Sequence, residues 1–270
     1  MNSVVADLHL HTNASDGKYS YLVLCELLKI NKLKYFSITD HDSIRSIKES
    51  IEWAEKNAMT NIPGVEYSTI NDGKQVHIIG YMKNYEKAGE LLDIRKKDRI
   101  ERAKKIVSLL NKNNIEIEFE DVLIEARKSE SVGRPHIARA MIKNGQIKDI
   151  KEAFEKYIGD NKSCYVPKME FTIKETVDMI HSLKGIAVIA HPFENDAYKD
   201  LEEICEAGID GIEVYTPKNK TYQIDFLVDF AKPKKLLITG GSDFHGENLY
   251  SPFGLYNDIL QKFLDKWRSL

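Results

Sequence analysis

The stretch Val4-Val5-Ala6-Asp7-Leu8-His9-Leu10-His11 combines the two features that decide the fold. Its apolar residues predict a buried β-strand, and His9 and His11, two positions apart, would project from the same face of that strand. Short apolar segments of this kind recur along the chain, and amphipathic segments with helical spacing separate most of them. We therefore predict an α/β fold with a largely parallel sheet built from βα units.

The strand and helix patterns divide the chain into two kinds of region. The predicted strands are Val4–Leu10, Tyr35–Thr39, Asn61–Tyr67, Gln75–Tyr81, Ile186–Ala190, Gly211–Tyr215 and Leu236–Gly240. Between Tyr85 and Pro167 the apolar residues follow helical spacing with no strand between them. We predict that residues 1–85 and 168–270 are the two parts of one domain, and that residues 86–167 form a helical insertion subdomain.

The composition argues against several classes of protein. The 39 basic and 42 acidic side chains leave a net charge of −3, which disfavours coating of nucleic acid or of an anionic membrane by bulk electrostatics. The three cysteines are dispersed, so neither a disulfide framework nor a CxxC metal knuckle is indicated. No targeting segment and no apolar run near the ~18 residues of a membrane span is visible. We expect a cytoplasmic protein without membrane association, and no stable protein partner is indicated.

Seven of the eight histidines lie near predicted strand ends or beside glycine, proline or carboxylate residues. His191 directly follows an apolar strand, and Glu66 interrupts the end of another, where a buried carboxylate needs a partner cation. The string Asp243-Phe244-His245 repeats the two-residue spacing of the first strand. The candidate metal ligands are His9, His11, Asp16, His41, Glu66, His77, His191, Asp243 and His245.

Each of these strings also has a simpler explanation. The histidine pair of the first strand could face solvent from an edge strand, and acidic residues at strand ends often cap helices. Because the carboxyl ends of strands in βα architectures share one face, however, all nine side chains would converge there. We therefore predict a site for two to three divalent ions, with manganese, zinc or iron favoured by imidazole and carboxylate ligands. The natural chemistry of such a site is hydrolysis.

The strings DLHLHTNASDGKYS, ITDHDS, PGVEYS, VHIIGY, AHP and GSDFHG together resemble the polymerase-and-histidinol-phosphatase (PHP) superfamily of metal-dependent phosphoesterases. Within the insertion, Gly133–Ala138 and Ala153–Gly159 are similar to the PHP branch that removes phosphate from nucleoside 3′,5′-bisphosphates. Some members of that branch also trim short RNAs from the 5′ end. The resemblance implies a distorted (β/α)7 barrel, the PHP fold, with the helical insertion lying over the metal face.

The resemblance also implies how the ligands are divided among three ions. His9, His11, Glu66 and Asp243 would hold one ion. Glu66, His77 and His191 would hold a second, with Glu66 bridging, and Asp16, His41 and His245 would hold the third.

The string Gly133-Arg134-Pro135-His136 predicts contacts with phosphate. A guanidinium matches phosphate oxygens bidentately, and an imidazolium adds charge and a donor, so we predict Arg134 and His136 as catalytic and phosphate-binding residues. An ordinary loop leading into a helix, with a solvated arginine, is the alternative. Arg99 stands with Arg95 and Arg102 on one face of the long insertion helix and is predicted to bind a second phosphate or a nucleotide backbone.

These features together predict a phosphohydrolase in which a metal-held hydroxide attacks the phosphorus of a phosphomonoester. The expected substrate is a nucleoside 3′,5′-bisphosphate that loses its 3′-phosphate, followed by short 5′-phosphorylated RNA. A histidinol-phosphate-type phosphatase is an alternative enzyme. A non-catalytic PHP module that binds a nucleotide or stabilises a partner is an alternative of another class, which the complete ligand set disfavours.

Overall fold

The computed structural model describes residues 4–126, 132–167, 171–194, 196–246, 250–251 and 253–270, with only the backbone at positions 95 and 96. The chain divides into two compact units. The first, Met1–Gly89 with Glu170–Leu270, is termed the α/β unit. The second, Glu90–Met169, is termed the helical unit. No helix in the described ranges is long and apolar enough to cross a membrane.

The strands of the α/β unit form two sheets. Sheet one contains β1 (Ala6–Leu10), β2 (Tyr35–Ile38) and β3 (Thr60–Asn61), which pair in parallel. Sheet two contains β4 (Gly64–Asn71), β5 (Lys74–Met82), β6 (Gly185–Ile189), β7 (Gly211–Tyr215) and β8 (Leu237–Gly240), in that order. In sheet two, β5 pairs antiparallel with both of its neighbours, whereas β6, β7 and β8 are parallel.

This arrangement confirms the α/β class but differs from a single seven-stranded parallel barrel. The turn between β4 and β5 consists of Asp72 and Gly73, both with positive φ, and Asn71 pairs with Lys74 across it. A two-residue turn of this kind allows only antiparallel pairing, because a parallel connection needs a crossover of about a dozen residues. In the described residues the β-bridges between the regions of the two sheets are the single bridges Leu10–Phe244 and His41–Glu66, and no closed barrel is formed.

The helices lie mostly between the strands and across the predicted insertion, and a last helix follows β8. They are α1 Tyr21–Ile30, α2 Ile47–Lys56, α3 Tyr85–Lys112, α4 Phe119–Glu125, α5 Arg134–Lys143, α6 Ile150–Ala153, α7 Ile173–Ser182, α8 Leu201–Glu206, α9 Thr221–Lys234 and α10 Asn257–Ser269. A π-helical turn, Phe154–Ile158, follows α6, and a 3-10 turn, Ala197–Asp200, precedes α8.

Local sequence explains where several helices begin. The hydroxyl of Ser20 accepts a hydrogen bond from the backbone N–H of Val23 at the start of α1. At the start of α7, Thr172 and Glu175 form a reciprocal capping box: each side chain accepts a hydrogen bond from the backbone N–H of the other residue. These contacts satisfy N–H groups that have no partner inside the helix.

The two units have separate apolar cores. In the α/β unit, β1 and β6 are buried along their whole length, and residues such as Leu8, Val188 and Phe263 pack in one apolar cluster. In the helical unit, Leu110, Val122 and other apolar residues of α3 to α6 form a cluster of their own. The polar side chains described next lie among the buried residues of the α/β unit.

Candidate metal centre

The first part of the site lies at the carboxyl end of β1. His9 and His11 project from the same face of this strand, and their Nε2 atoms lie 3.1 Å apart. Both rings are buried. Leu8 and Leu10 occupy the alternate positions and pack into apolar clusters. The alternation in the sequence thus separates the two imidazoles from the apolar side chains of the same strand.

Asp16 follows in the loop after β1, and a buried carboxylate anchors that loop. Asp40 accepts hydrogen bonds from the backbone N–H and the hydroxyl of Thr12, each at 2.7 Å, and from the hydroxyl of Ser15 at 2.8 Å. Since Asp40 stands just after β2, these bonds hold the loop next to that strand end. Asp16 Oδ2 consequently lies 3.7 Å from Nε2 of His41, the residue that follows Asp40.

Glu66 on β4 is the centre of the cluster, and its side chain is fully buried. Its two carboxylate oxygens lie 2.9–3.2 Å from ring nitrogens of five histidines, namely His9, His11, His41, His77 and His191. One carboxylate therefore faces five histidines from four different strands or strand ends.

Asp243 and His245 complete the cluster from the loop after β8. Asp243 adopts a positive φ of 50°, and its backbone N–H donates to the carbonyl of His9. Its Oδ1 lies 3.2 Å from Nε2 of His11. His245 Nε2 lies 3.3 Å from Oδ1 of Asp16. Both side chains thus lie next to residues at the end of β1 or in the loop that follows it, and the loop backbone rather than strand alternation places them there.

The ligand atoms form three overlapping groups, within each of which all atoms lie within 4.8 Å of one another. The groups are His9, His11, Glu66 and Asp243; His11, Asp16, His41 and His245; and His41, Glu66 and His77. The first has the membership that the family resemblance implies for one ion. The second adds His11 to the implied set, and the third contains His41 where the resemblance implies His191. His191 lies beside the third group, because its Nε2 is 2.9 Å from Oε1 of Glu66.

The donor atoms of this cluster fit divalent cations. Buried atoms with no hydrogen-bond partner in the described part of the chain include Oε2 of Glu66 and Nδ1 of His11, His41, His77 and His191. Unpaired buried polar atoms are costly and therefore rare. Imidazole nitrogens and carboxylate oxygens are ligands of zinc, manganese and iron, so cations at this position would satisfy buried atoms that form no hydrogen bond in the described part of the chain.

The pKa values of these groups reflect their burial and their mutual attraction. Burial lowers the pKa of His41 to about 4, despite the attraction of Glu66. Burial also opposes protonation of His11, but hydrogen bonds with Asp243 and Glu66 outweigh it and raise the pKa of His11 to about 9. Burial would raise the pKa of Glu66, yet the surrounding histidines hold it well below its usual range. Glu66 is therefore ionised at neutral pH, the state in which it can bind a cation.

Two buried carboxylates next to the cluster were missed by the sequence analysis. Glu213 on β7 contacts the ring of His9. Asp7 on β1 accepts hydrogen bonds from the backbone N–H of Ser242 and the hydroxyl of Tyr250, each at 2.9 Å. The signal that identified Glu66, a carboxylate within an apolar strand, was present at both positions and could have found them.

Lys218 was also missed, and no signal in its sequence neighbourhood distinguishes it. Its Nζ lies 3.0 Å from Oδ2 of Asp243 and 2.8 Å from Oε1 of Glu194, so it joins a candidate ligand to the loop after His191. It lies in a polar loop after β7, and a lysine in such a loop gives no indication of a functional role from the sequence alone.

Arg134 and His136 lie at the start of α5 in the helical unit. Nη1 of Arg134 donates to the carbonyl of Ile158 at 3.2 Å and to Asp160 at 2.7 Å. Its guanidinium also lies over the rings of Phe154 and Tyr165. Arg134 is therefore not a simply solvated loop residue: contacts on several sides fix its guanidinium.

The contacts of His136 favour the neutral ring over the imidazolium that the sequence suggested. Its Nδ1 accepts a hydrogen bond from the backbone N–H of Gly133 at 3.0 Å, so the proton of the neutral ring is on Nε2. Burial, followed by the nearby charge of Arg139, lowers the pKa of His136. In this arrangement the ring of His136 would act as a neutral donor through Nε2.

Of the three arginines predicted on one face of α3, one uses a guanidinium nitrogen in a contact within the helical unit. Arg102 donates from Nε to the carbonyl of Val166 at 2.7 Å, and burial followed by the charge of Arg134 lowers its pKa. The side chain of Arg95 lies outside the described residues. Arg99 lies on the same helix and remains a predicted substrate-binding residue.

Comparison with known proteins identifies the class of this site. A 5′-3′ exoribonuclease from Haemophilus influenzae is 30% identical over 97% of this chain and 98% of its own length. A 3′,5′-nucleoside bisphosphate phosphatase from Chromobacterium violaceum is 29% identical over 88% of this chain and 86% of its own length. A solved structure from Bifidobacterium adolescentis, described as a metal-dependent phosphoesterase, has a TM-score of 0.76 and 26% identity and covers 98% of each chain.

These similarities and the cluster around Glu66 define a metal-dependent phosphoesterase. The model of the PHP domain matches residues 7–166, which is more than half of the chain. The chain therefore belongs to the PHP domain family.

Proposed function

We propose that the chain removes the 3′-phosphate from nucleoside 3′,5′-bisphosphates. Water adds to phosphorus, the bond between phosphorus and O3′ breaks, and inorganic phosphate and a nucleoside 5′-monophosphate are released. The observation that carries the proposal is the cluster of histidines and carboxylates around the buried Glu66. The relative from Chromobacterium violaceum, a 3′,5′-nucleoside bisphosphate phosphatase by name, supports this choice of substrate.

We assign two to three divalent cations, manganese, zinc or iron, to the nine predicted ligands. His9, His11, Glu66 and Asp243 would hold one cation, and Asp16, His41 and His245 would hold another together with His11. Glu66 with His77, and with His41 or His191 beside it, would hold a third. When bound, such cations supply Lewis acidity and lower the pKa of coordinated water. Glu66 keeps its negative charge next to the histidines and thereby provides the counter-charge of the site.

The phosphate-binding role is assigned to residues 99, 134 and 136 of the helical unit. Arg134 has five N–H donors, and the contacts with Ile158 and Asp160 both use Nη1, so other donors of its rigidly held guanidinium can bind phosphate oxygens. His136 would donate from Nε2 as a neutral ring. Arg99 would bind a second phosphate or the nucleotide backbone.

The finer description of the fold is part of the same proposal. We assign the two sheets to one distorted (β/α)7 barrel of the PHP type. Continuous strand pairing would be interrupted between the sheets, where only the bridges Leu10–Phe244 and His41–Glu66 connect them. Residues 1–85 and 168–270 would be its two parts, and residues 86–167 the inserted subdomain.

The proposal is tested by loading the purified chain with Mn²⁺ or Zn²⁺ and measuring phosphate release from adenosine 3′,5′-bisphosphate, histidinol phosphate and short 5′-phosphorylated RNA. We expect the bisphosphate to have the highest kcat/KM and to yield the 5′-monophosphate, identified by chromatography against the 3′-monophosphate. Faster turnover of histidinol phosphate, or release of the 5′-phosphate, would contradict the proposal.

A matched pair of histidine variants separates the metal site from general effects of histidine loss. His41→Ala should lower both the metal content and phosphate release. His181→Ala should change neither, because His181 lies on α7 and pairs with Asp210. An unchanged metal content in His41→Ala would remove His41 from the ligand set.

Short 5′-phosphorylated RNA is the second candidate substrate. The relative from Haemophilus influenzae, a 5′-3′ exoribonuclease by name, favours it. In that case the same panel would show release of mononucleotides from the 5′ end of the RNA with kcat/KM above that of the bisphosphate.

A further inference from the structure

Glu213 is a buried carboxylate in the middle of β7. Its side chain is 1% exposed, and its strand neighbours Ile212 and Val214 are fully buried apolar residues. An ionised carboxylate in such surroundings is expensive unless hydrogen bonds or opposite charges compensate it. The contacts of Glu213 therefore indicate why a carboxylate is present at this position.

Both oxygens of Glu213 are used, and they contact two of the candidate metal ligands. Oε1 and Oε2 lie 3.1 and 3.2 Å from Nδ1 of His9. Oε2 also accepts a hydrogen bond from the backbone N–H of His191 at 2.9 Å. Glu213 thereby connects the end of β1 with the end of β6 from behind the cluster.

The contact with His9 determines which ring nitrogen can bind a cation. A hydrogen bond from Nδ1–H to Glu213 leaves the lone pair on Nε2. Nε2 is the atom that faces the cluster, 3.2 Å from Oε2 of Glu66 and 3.5 Å from Oδ1 of Asp243. His77 has the opposite orientation: its Nδ1 faces the cluster, 2.9 Å from Oε1 of Glu66, and its Nε2 contacts Gln75.

The contact with His191 holds an unusual backbone conformation. His191 has φ of 25°, which is unfavourable for a residue other than glycine and persists only when surrounding contacts enforce it. The hydrogen bond to Glu213 provides such a contact. The ring of His191 reaches Glu66 from this backbone, with Nε2 at 2.9 Å from Oε1.

We infer that Glu213 is a positioning residue of the metal centre, which fixes the tautomer and orientation of His9 and the backbone of His191. It would act through its contacts with these two histidines. The inference rests on their proposed ligand role and goes beyond the proposed substrate. Its readouts need no substrate, so they are independent of the outcome of the phosphate-release panel.

The test compares Glu213→Gln with Asp210→Asn. Asp210, just before β7, makes contacts of the same kind: it accepts from the backbone N–H of Ala187 on β6 and pairs with a histidine, His181, each at 2.8 Å. These partners are not among the candidate ligands. Outer partners of ligating histidines typically contribute about 10–100-fold to metal affinity. We expect Zn²⁺ affinity, measured by competition with a chelating dye, to fall by about this factor in Glu213→Gln and by less than about twofold in Asp210→Asn.

A second measurement uses the unmodified protein and therefore does not depend on the folding of a variant. In ¹⁵N NMR spectra of the zinc-loaded chain, we expect His9 to coordinate through Nε2 and to show a protected Nδ1–H signal. Coordination through Nδ1 would overturn the inference. Equal Zn²⁺ affinity of Glu213→Gln and the wild type, or an equal loss in Asp210→Asn, would overturn it as well.

Discussion

The two units of the molecule bury different kinds of side chain. Within the described ranges, every buried polar or charged residue belongs to the α/β unit, and these include Asp7, His9, Glu66 and Glu213. The buried cluster of the helical unit consists of apolar residues and Cys164. The α/β unit therefore contains a polar centre within its core, whereas the helical unit has an ordinary apolar interior.

This difference indicates where stability and function conflict. Burying charges destabilises a fold unless each charge is paired, so a cluster of them is retained for its chemistry. The helical unit has no such conflict in its described core and can be stabilised by packing alone. Substitutions in the two units should consequently have different effects, which the following experiments measure.

The largest effect is expected for Glu66→Gln. The substitution preserves volume but removes the charge that faces five histidines. Because outer partners of metal ligands already contribute about 10–100-fold, loss of this central carboxylate should lower phosphate release by more than about 100-fold and reduce the metal content. Metal analysis and a phosphate assay test this. Glu101→Gln, at an exposed position of α3, is the control and should keep both values.

Leu110→Ala tests the apolar unit. Leu110 is fully buried in the helical cluster, so its truncation should cost about 2–5 kcal/mol of stability while the metal content per folded molecule stays unchanged. Denaturant unfolding and metal analysis measure the two quantities. Leu123→Ala, at a residue 39% exposed in the same unit, should have a smaller effect on stability. A loss of metal in Leu110→Ala would contradict the separation of the two cores.

Asp7→Asn tests the energetic penalty of the polar core. Burial raises the pKa of Asp7 from 3.8 to about 6, despite hydrogen bonds from Ser242 and Tyr250. The folded state thus binds the proton more tightly than the unfolded state, and the contribution of Asp7 to stability decreases as pH rises from about 4 to about 6. At 1.36 kcal/mol per pKa unit the decrease is up to about 3 kcal/mol.

The measurement is urea unfolding of wild type and Asp7→Asn between pH 4 and pH 7 in the presence of EDTA. Asparagine does not titrate, so the stability of the variant relative to the wild type should increase across this range. A difference that does not change with pH would show that folding does not raise the pKa of Asp7.

Arg134→Ala tests whether the helical unit contributes more than packing. If Arg134 binds the phosphate of the substrate before reaction, the variant should raise KM about 10-fold, which corresponds to about 1.4 kcal/mol, and leave kcat nearly unchanged. Steady-state kinetics with adenosine 3′,5′-bisphosphate measure both constants. Arg139→Ala on the same helix is the control, since Arg139 pairs with Glu125 at 3.9 Å. Unchanged kinetics in Arg134→Ala would show that Arg134 does not bind substrate. Its role would then be structural, through its contacts with Phe154, Ile158 and Asp160.

The smallest effect is expected for Thr172→Ala at the start of α7. The substitution removes the hydroxyl of the capping box with Glu175 and should cost about 1 kcal/mol of stability. Thr172→Ser retains the hydroxyl and should be close to wild type in thermal unfolding. Equal melting temperatures for the alanine and serine variants would show that the hydroxyl does not stabilise the helix.

The sequence was most informative where a pattern has one structural meaning. The strand predicted over Gly211–Tyr215 is confirmed with the same bounds, and alternation in β1 predicts the shared face of His9 and His11. The structure brings the nine predicted ligands together. The sequence could predict this because side chains at neighbouring strand ends lie on one face of the fold.

The sequence was less informative where long-range pairing decides the structure. The single strand predicted over Asn61–Tyr67 is wrong: the structure has β3 and β4 in different sheets. The turn at Asp72-Gly73 was not used as a hairpin signal, although it explains the antiparallel pairing of β4 and β5. α10 was not predicted, although it packs its apolar face, including Phe263, against the sheet residues. Lys218 could not be identified from the sequence, because its partner Asp243 is distant along the chain. Glu213 interrupts an apolar strand, but its contact with His9 is likewise visible only in the structure.

The two bridges between the sheets have a consequence for the lifetime of the protein. In the bridge Leu10–Phe244, each residue has a candidate ligand directly before and after it in the sequence. In the other bridge, His41 and Glu66 are themselves candidate ligands. Cations bound there would cross-link two sheets that share little backbone pairing in the described chain. A ligand that binds only the folded state stabilises it by about 2.7 kcal/mol at 100 times its Kd. The supply of metal should therefore raise the stability of the folded chain and, where degradation proceeds through the unfolded state, lengthen its lifetime.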